Sequence, residues 1–482
     1  LRRALIGIGT CIDPESLLAI DMVEVSGEAL ERLEKTRREY LAEASRRRVY
    51  GYCTGLGELQ YKTAGCPDNW EMTVLDEHST SVGLQVSSRS LSLLFLKVRL
   101  LQLLQAPAPV RPGVAERIAT AVNRGIAPLI HVYGSVGASG DLAPSAEAFR
   151  CLFYGKGRAW IDGKPAPCRS ALERVGLDVY PLQPGEALAL INNTAWSTAL
   201  CSYNIVGLKN ALNAALDLAV RLVTAVRPNP EHYMPKLLEL KKCPKCVDVA
   251  YKLNSQCTGK SRLLQYPYSI RCLPQILGSL LDSLDWVEKK VAEEACSSTE
   301  NPTVVDGRVY HNCNFHSIRV SLACDQALTV AGHLANLLDR LAAQLMRKSI
   351  TGLPEFVSTE NSSVGLMIVQ YATASLAARA RTLSHPSGVE SIPTSGLQED
   401  IVPMTPISGL KLYGQVEGLG ASLALLQVIL DKIDEARRGP LSFNSLQEDI
   451  IAAHRRMLAR LYPYGLPFTQ DPDYGSGKIP VE

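Results

Sequence analysis

The chain has 482 residues, 46% of them hydrophobic and 20% charged, the balance of a globular protein with room for a large core or more than one domain. Its formal net charge is +2, so no strong field draws it toward nucleic acid or a membrane surface. The most apolar stretch, Gly83 to Gln105, is broken by Arg89, Lys97 and Arg99, which argues against a transmembrane span.

The N-terminus carries basic residues and a short apolar patch. Asp13 and Pro14 follow too soon for a signal peptide, so a cytoplasmic location is expected. Val49 to Gly57 reads VYGYCTGLG, a glycine-punctuated loop. His131 to Ala146 reads HVYGSVGASGDLAPSA. Its glycines allow tight backbone, and Asp141 is a good N-cap ahead of a helix running on from Leu142. Arg158 to Ile161, before the turn Asp162–Gly163, is a hairpin arm; other strands are few and short.

Long helices follow. Ala195 to Val226 is rich in Ala and Leu and stops at Arg227–Pro228, where proline ends helices. Gln275 to Ala295, Val320 to Met346, Val364 to Leu383 and Leu410 to Arg437 repeat the pattern, and Leu446 to Leu461 is more charged and peripheral. Helices apolar on most sides are buried on most sides, so the fold class is mainly α, a long-helix bundle. The chain divides into a loop-rich N-terminal region, 1–190, and a region of long core and C-terminal helices, 191–482. No internal repeat or low-complexity region is present.

The 13 cysteines are an odd count scattered through a large chain, poor grounds for a disulfide framework, and most are expected to be small buried hydrophobes. Cys243–Pro–Lys–Cys246 has the spacing of a metal knuckle or redox pair, but no second such pair follows. The simpler reading is a polar loop with two thiols, and no metal site is expected.

The segment Ala138–Ser139–Gly140 admits two readings. One is a glycine-rich turn entering a capped helix. The other is chemical. If the backbone bends sharply at Ser139, the amide nitrogen of Gly140 can attack the carbonyl of Ala138. Glycine leaves that approach clear, and alanine is small enough to let the ring close. Loss of two waters, one of them from the Ser139 hydroxyl, leaves a methylidene-imidazolone. Its exocyclic methylene is an electrophile that no standard side chain offers, a cofactor made in place.

The run GSVGASGDLAP resembles the signature of the aromatic amino acid ammonia-lyases and aminomutases, which include the histidine, phenylalanine and tyrosine ammonia-lyases. The resemblance covers nearly the whole chain. It implies a fold of the fumarase/aspartase-like kind and 4-methylidene-imidazol-5-one formed autocatalytically from Ala138, Ser139 and Gly140, with no external cofactor. VYGYCTGLG is similar to the family's YGxxTGFG, which makes Tyr50 the catalytic base; Cys53 and Leu56 depart from the commonest residues. A phenol near pKa 10 acts as a base at neutral pH only where its surroundings lower that value. LINNT resembles LINGT and gives Asn192 a place beside the prosthetic group and substrate; Asn193 stands for the usual glycine, and asparagine tolerates left-handed backbone. LQYPYSIRCLPQIL is similar to QDxYSLRCxPQ, matching Gln265, Tyr268 and Arg271 to functional positions. Arg271 would clamp the substrate carboxylate, and Tyr268 would lie near the amine. HNCNFHS resembles GGNFHG, placing Phe315 beside the prosthetic group and Asn314 near the carboxylate, with Asn312 and Cys313 in place of glycines. In the QEDIVPM run, similar to QEDHVSM, Glu399 matches the glutamate that faces the substrate in histidine-specific members; Ile401 and Pro403 depart. Arg379 reverses the charge often found there.

VLDEHSTSVG resembles the selectivity helix. Its Glu77–His78 compares with Ser-His in histidine lyases. His78 and Glu399 together favour an imidazole substrate, because a phenyl ring would leave two buried polar groups unpaired, at roughly 1–3 kcal/mol each. Glu77 also admits a larger or more cationic substrate such as a modified histidine. The resemblance therefore implies elimination of ammonia from L-histidine to trans-urocanate, in a homotetramer whose subunits share active sites, with a small-molecule substrate as the ligand. The alternatives are a 2,3-aminomutase, a lyase for another aromatic amino acid, or a non-catalytic helical scaffold.

Overall fold

The computed structural model describes residues 2–63, 65–258 and 260–470. Five long helices carry the core: Ala195–Val226, Leu273–Ala295, Ile318–Leu345, Met367–Leu383 and Thr405–Arg438. Thr405–Arg438 packs against Ala195–Val226, Ile318–Leu345 and Met367–Leu383, and Leu273–Ala295 packs against the second of these. The continuous Ala and Leu runs follow from this arrangement, because a helix with neighbours on several sides must be apolar on several sides. The Ala195–Val226 helix ends where expected, with Arg227 in left-handed backbone before Pro228.

One apolar core runs through the molecule, from Ile6 to Phe468. The described strands are short. Arg158–Ile161 pairs with Lys164–Pro167 as the expected hairpin, turned by Asp162 and Gly163, both at positive φ. Arg3–Ile6 and Met22–Val25 form a parallel pair, and Val82–Ser87 lies between His131–Tyr133 and Phe468–Gln470.

Of the charges within the apolar stretch after Gly83, Lys97 and Arg99 are buried in the helix Arg89–Gln105 and each is matched, while Arg89 is exposed. Arg99 pairs with Glu300 at 2.8 Å and also donates to the Ala189 carbonyl. The Lys97 ammonium donates to the carbonyls of Leu17 and Ile20. A buried cation is tolerated only when so matched. Both the Ala189 contact and a bond from Gln102 Nε2 to Thr194 Oγ1, 3.0 Å, fasten the segment around Asn192 and Asn193 to this helix. No helix among the described residues is long and apolar enough to cross a membrane.

The cysteine reading is corrected. Four disulfides form: Cys11–Cys296, Cys53–Cys66, Cys151–Cys168 and Cys243–Cys246. Cys201, Cys257, Cys272, Cys313 and Cys324 remain as thiols. The pair at 243 and 246 is a disulfide at the start of the helix Pro244–Asn254 rather than two free thiols in a loop.

Arg379 also finds its explanation here. Its guanidinium donates to the Gly414 carbonyl and to Glu417, both at 2.8 Å, and so ties the helix Met367–Leu383 to Thr405–Arg438. It serves helix packing.

Candidate active site

Gly137 and Gly140 both take left-handed backbone, φ +72° and +76°. A Cβ on Gly140 would come within 2.2 Å of the Asn193 carbonyl oxygen, and one on Gly137 within 2.4 Å of Ser317 Oγ. Glycine is required at both positions for space as well as for φ. The Gly137 carbonyl accepts from the Ser317 amide and hydroxyl, which anchors the bend to the start of the helix Ile318–Leu345.

Asp141 does precede the helix Leu142–Tyr154, but its side chain does not cap that helix. Its buried carboxylate accepts from Ser197 N and Ser197 Oγ, each at 2.7 Å, and from Ser135 Oγ at 2.9 Å. It therefore neutralises donors at the start of the Ala195–Val226 helix instead. Burial pushes its pKa up to about 6, against the pull of those donors.

Asn192 reaches the same bend: its Nδ2 donates to the Ser139 carbonyl at 2.5 Å, and its buried Oδ1 has no partner among the described residues. Asn193 does not use left-handed backbone. Its side chain replaces the missing turn flexibility with bonds: Nδ2 donates to the Leu190 carbonyl at 2.7 Å, and Oδ1 accepts from Ala195 N at 2.8 Å. Its main-chain carbonyl accepts from Asp141 N at 2.7 Å.

Three further loops close over Ser139. In the first, Tyr50 is half-buried, and its hydroxyl oxygen accepts from the Gly57 amide at 2.8 Å. Burial pushes the Tyr50 phenol above its ordinary value; the Gly57 hydrogen bond opposes this and the charge of Glu399 adds to it. The lowering expected for a base is thus not supplied by this chain's own groups. In the second loop, Phe315 and His316 face the cavity, and His316 Nε2 donates to the Ile401 carbonyl at 3.1 Å. In the third, Glu399 accepts the Ser139 hydroxyl on one oxygen and the Thr394 hydroxyl, at 2.6 Å, on the other.

The loops enclose a cavity of about 770 Å³, whose wall includes Tyr50, Ala138, Ser139, Phe315 and Glu399. It can seat an amino acid with an aromatic side chain. Arg48, Gln60, Tyr61, His311 and Asp400 also face it, and no sequence reasoning singled out a role for them there. His311 Nε2 accepts from the Tyr50 amide at 3.1 Å. A bond between residues 261 positions apart leaves no trace in local sequence.

Seven expected site residues do not border this cavity; Gly140 and Asn192 adjoin Ser139 at the bend, and the other five lie elsewhere. His78 turns its Nδ1 back to the Val74 carbonyl at 2.7 Å. Asn314 is exposed, and its amide donates to Asn312 Oδ1. Gln265 and Tyr268 are exposed, Tyr268 by 71%, and Arg271 is half-buried with its guanidinium 4.9 Å from the Tyr268 ring centre.

A model of the aromatic amino acid lyase family matches residues 15–456. Histidine ammonia-lyase of Geobacillus thermodenitrificans is 32% identical over 416 residues, 82% of each chain. Among solved structures, the ergothionase of Treponema denticola is similar with a TM-score of 0.89 at 16% identity, covering 95% of this chain and 99% of that one. Histidine ammonia-lyase of Trypanosoma cruzi is similar with a TM-score of 0.82 at 23% identity, covering 100% of both. The chain belongs to the aromatic amino acid lyase family, and it is a carbon–nitrogen lyase of the ammonia-lyase kind.

Proposed function

We propose that this enzyme eliminates ammonia from L-histidine to give trans-urocanate, using 4-methylidene-imidazol-5-one formed from Ala138, Ser139 and Gly140. The observation that carries the reading is the company Ser139 keeps. Its hydroxyl meets Glu399, its carbonyl meets Asn192, and Tyr50 and Phe315 wall the same cavity. The residues present suit the prosthetic group. The left-handed bend at Gly140 tolerates no Cβ, and Asn192 Nδ2 already holds the Ser139 carbonyl, which the ring retains.

The bend at Ala138–Ser139–Gly140, with Asn192 on the Ser139 carbonyl, would hold the group, which would supply an electrophilic carbon able to activate the substrate's amino group for departure. Tyr50 removes the proton from the substrate's β-carbon. Phe315 walls the cavity against water. Glu399 now accepts the Ser139 hydroxyl; dehydration removes that donor, and the freed carboxylate oxygen meets the imidazole ring of the substrate. Arg271 clamps the substrate carboxylate, and Gln265, Tyr268 and Asn314 complete the substrate's polar contacts.

Of these, Gln265, Tyr268 and Arg271 come from a neighbouring subunit of a homotetramer. Tyr268, Ile368 and Tyr371 stand exposed on this chain, as expected of surfaces that another copy covers. Burial beside a second chain would also bring the Arg271 charge toward Tyr50 and favour the phenolate. The division at residues 190 and 191 belongs to the same proposal: the first part carries the tyrosine loop and the ring-forming bend, the second the helices that hold them. A cytoplasmic location belongs to the same proposal.

The test is an ammonia-release assay over a panel of free amino acids, with intact mass measured on the same sample. Histidine is expected to turn over fastest, with a product absorbing in the near ultraviolet, and the mass to fall short by two waters. A β-amino acid product would make it an aminomutase. A full, undehydrated mass with no turnover would leave only a scaffold. Ser139→Ala should fold and lose nearly all activity.

A further inference from the structure

We propose that the Cys53–Cys66 disulfide is a positioning element of the active site: it closes the loop whose backbone holds the Tyr50 phenol, so full turnover requires the bond and a thiol reductant lowers it. The inference rests on Tyr50 being the base.

Cys53 follows Tyr50 by three residues, and its partner lies 13 positions on. Between them the chain doubles back, with Thr54 opposite Thr63 and the Gly55 amide donating to the Lys62 carbonyl at 3.0 Å. At the tip, the Gly57 amide donates to the Tyr50 hydroxyl, and Gln60 and Tyr61 face the cavity. The loop therefore sets where the phenol oxygen sits and shapes the wall beside it.

Little else holds the loop. Thr54 is buried, but Leu59 and Tyr61 are exposed by 55% and 78%. Its other ties are few: Leu56 packs against the main core, Thr54 Oγ1 accepts from the Gly51 amide at 2.9 Å, Arg48 reaches the Gln60 carbonyl at 2.8 Å and the Tyr61 ring centre at 5.8 Å, and Glu58 N donates to Ser395 Oγ at 3.4 Å. A segment with few buried apolar contacts opens easily unless cross-linked. Both cysteines also hold left-handed backbone, φ 55° and 51°, which side-chain-bearing residues resist. A covalent tie keeps them there and removes alternatives from the open state.

Reduction is a two-electron step. A dithiol reductant passes two electrons and two protons to the sulfur–sulfur bond, leaving thiols at Cys53 and Cys66, and itself closes to a disulfide.

The experiment uses the full chain purified without reductant, then treated with dithiothreitol, with alkylation and peptide mapping to count free thiols at Cys53 and Cys66. Turnover number should fall by about tenfold or more, since small misplacement of a reacting group has that scale of cost, and should return on reoxidation. The double variant Cys53→Ser/Cys66→Ser should be equally slow, indifferent to reductant, and still short of two waters by intact mass, showing that the ring-forming bend is intact. This variant separates the loop from the other three disulfides. Unchanged turnover with both thiols alkylated overturns the proposal, as does untreated protein in which both already alkylate. If untreated protein shows no lyase activity, the functional reading fails instead; limited proteolysis between Thr54 and Thr63 then decides, and cleavage no faster after reduction overturns the clip.

Discussion

Around Ser139 the protein completes nearly all its polar contacts within one chain: Asn192 on the carbonyl, Glu399 on the hydroxyl, and Asp141 and Asn193 fastening the bend from behind. At Gln265, Tyr268 and Arg271 it completes almost none. Gln265 and Tyr268 stand exposed and Arg271 is half-buried, none of them lining the cavity, with the guanidinium resting near the exposed tyrosine ring. Under the proposed function the first region must be rigid before any substrate arrives, because backbone has to close on backbone. Under the same proposal the second meets only a substrate, and another subunit brings it into place. What differs between them is when each has to be ordered.

The largest effect should come from breaking the first region. Gly140→Ala puts a methyl group 2.2 Å from the Asn193 carbonyl and forces left-handed backbone on an alanine. Turnover should drop by more than about a thousandfold, the scale seen when a reacting group is removed. Intact mass should then keep both waters. An active, dehydrated Gly140→Ala protein would mean that the bend does not need the geometry described.

Breaking the second region should cost less and be repairable in trans. Arg271→Ala should lower kcat/KM on the order of a hundredfold, the cost of leaving a buried carboxylate without its partner. Ser139→Ala alone should be inactive. When the two variants are coexpressed, some assembled sites take an intact Ser139 from one chain and an intact Arg271 from another. The mixture should exceed the summed activity of the separate variants. A mixture no better than that sum would place both groups in a site formed by a single chain.

The sequence showed the first region more fully than the second for a physical reason. The Ala195–Val226 and Leu446–Leu461 helices end where the apolar runs end, because burial and capping are local properties. The Ala-Ser-Gly bend is legible for the same reason. The Cys11–Cys296 pair is not: its partners are 285 residues apart, and pairing is decided by the fold. Asp141 carries the signal of an N-cap and does cap a helix, but the helix is one that begins 54 residues later. The distance of Arg271 from the cavity is illegible in principle, since a linear pattern lists a site's residues without saying which chain supplies them.

A smaller effect bears on how the first region is braced. Glu71, at the start of the helix Trp70–His78, accepts from Gly185 N and Ala187 N at 3.0 and 2.7 Å, and so holds the short helix that leads into Asn192. Burial pushes its pKa from 4.5 to about 7. The folded state therefore binds this proton more tightly than the unfolded state does. Its contribution is complete below about pH 4.5 and is lost as pH rises through about 7, up to about 3 kcal/mol. Denaturant unfolding from pH 4.5 to 8 should show that decline, and Glu71→Gln should flatten it. An unchanged slope in the variant would assign the pH dependence to other groups.

The smallest effect is expected at Arg379, and it tests whether departure from a family pattern marks function. Arg379 bonds Gly414 and Glu417 across two helices, with 48% of its side chain exposed, and does not line the cavity. Solvent screens such a pair, so Arg379→Ala should cost no more than about 1 kcal/mol in unfolding free energy and leave kcat and KM as they were. A reversed charge in a matched motif looks like an altered site only while its neighbours are unknown. Once the Gly414 carbonyl and the Glu417 carboxylate are seen to receive it, the residue needs no catalytic account. A kcat that fell in Arg379→Ala without loss of stability would show that the helix pair it ties does transmit strain to the bend at Ser139.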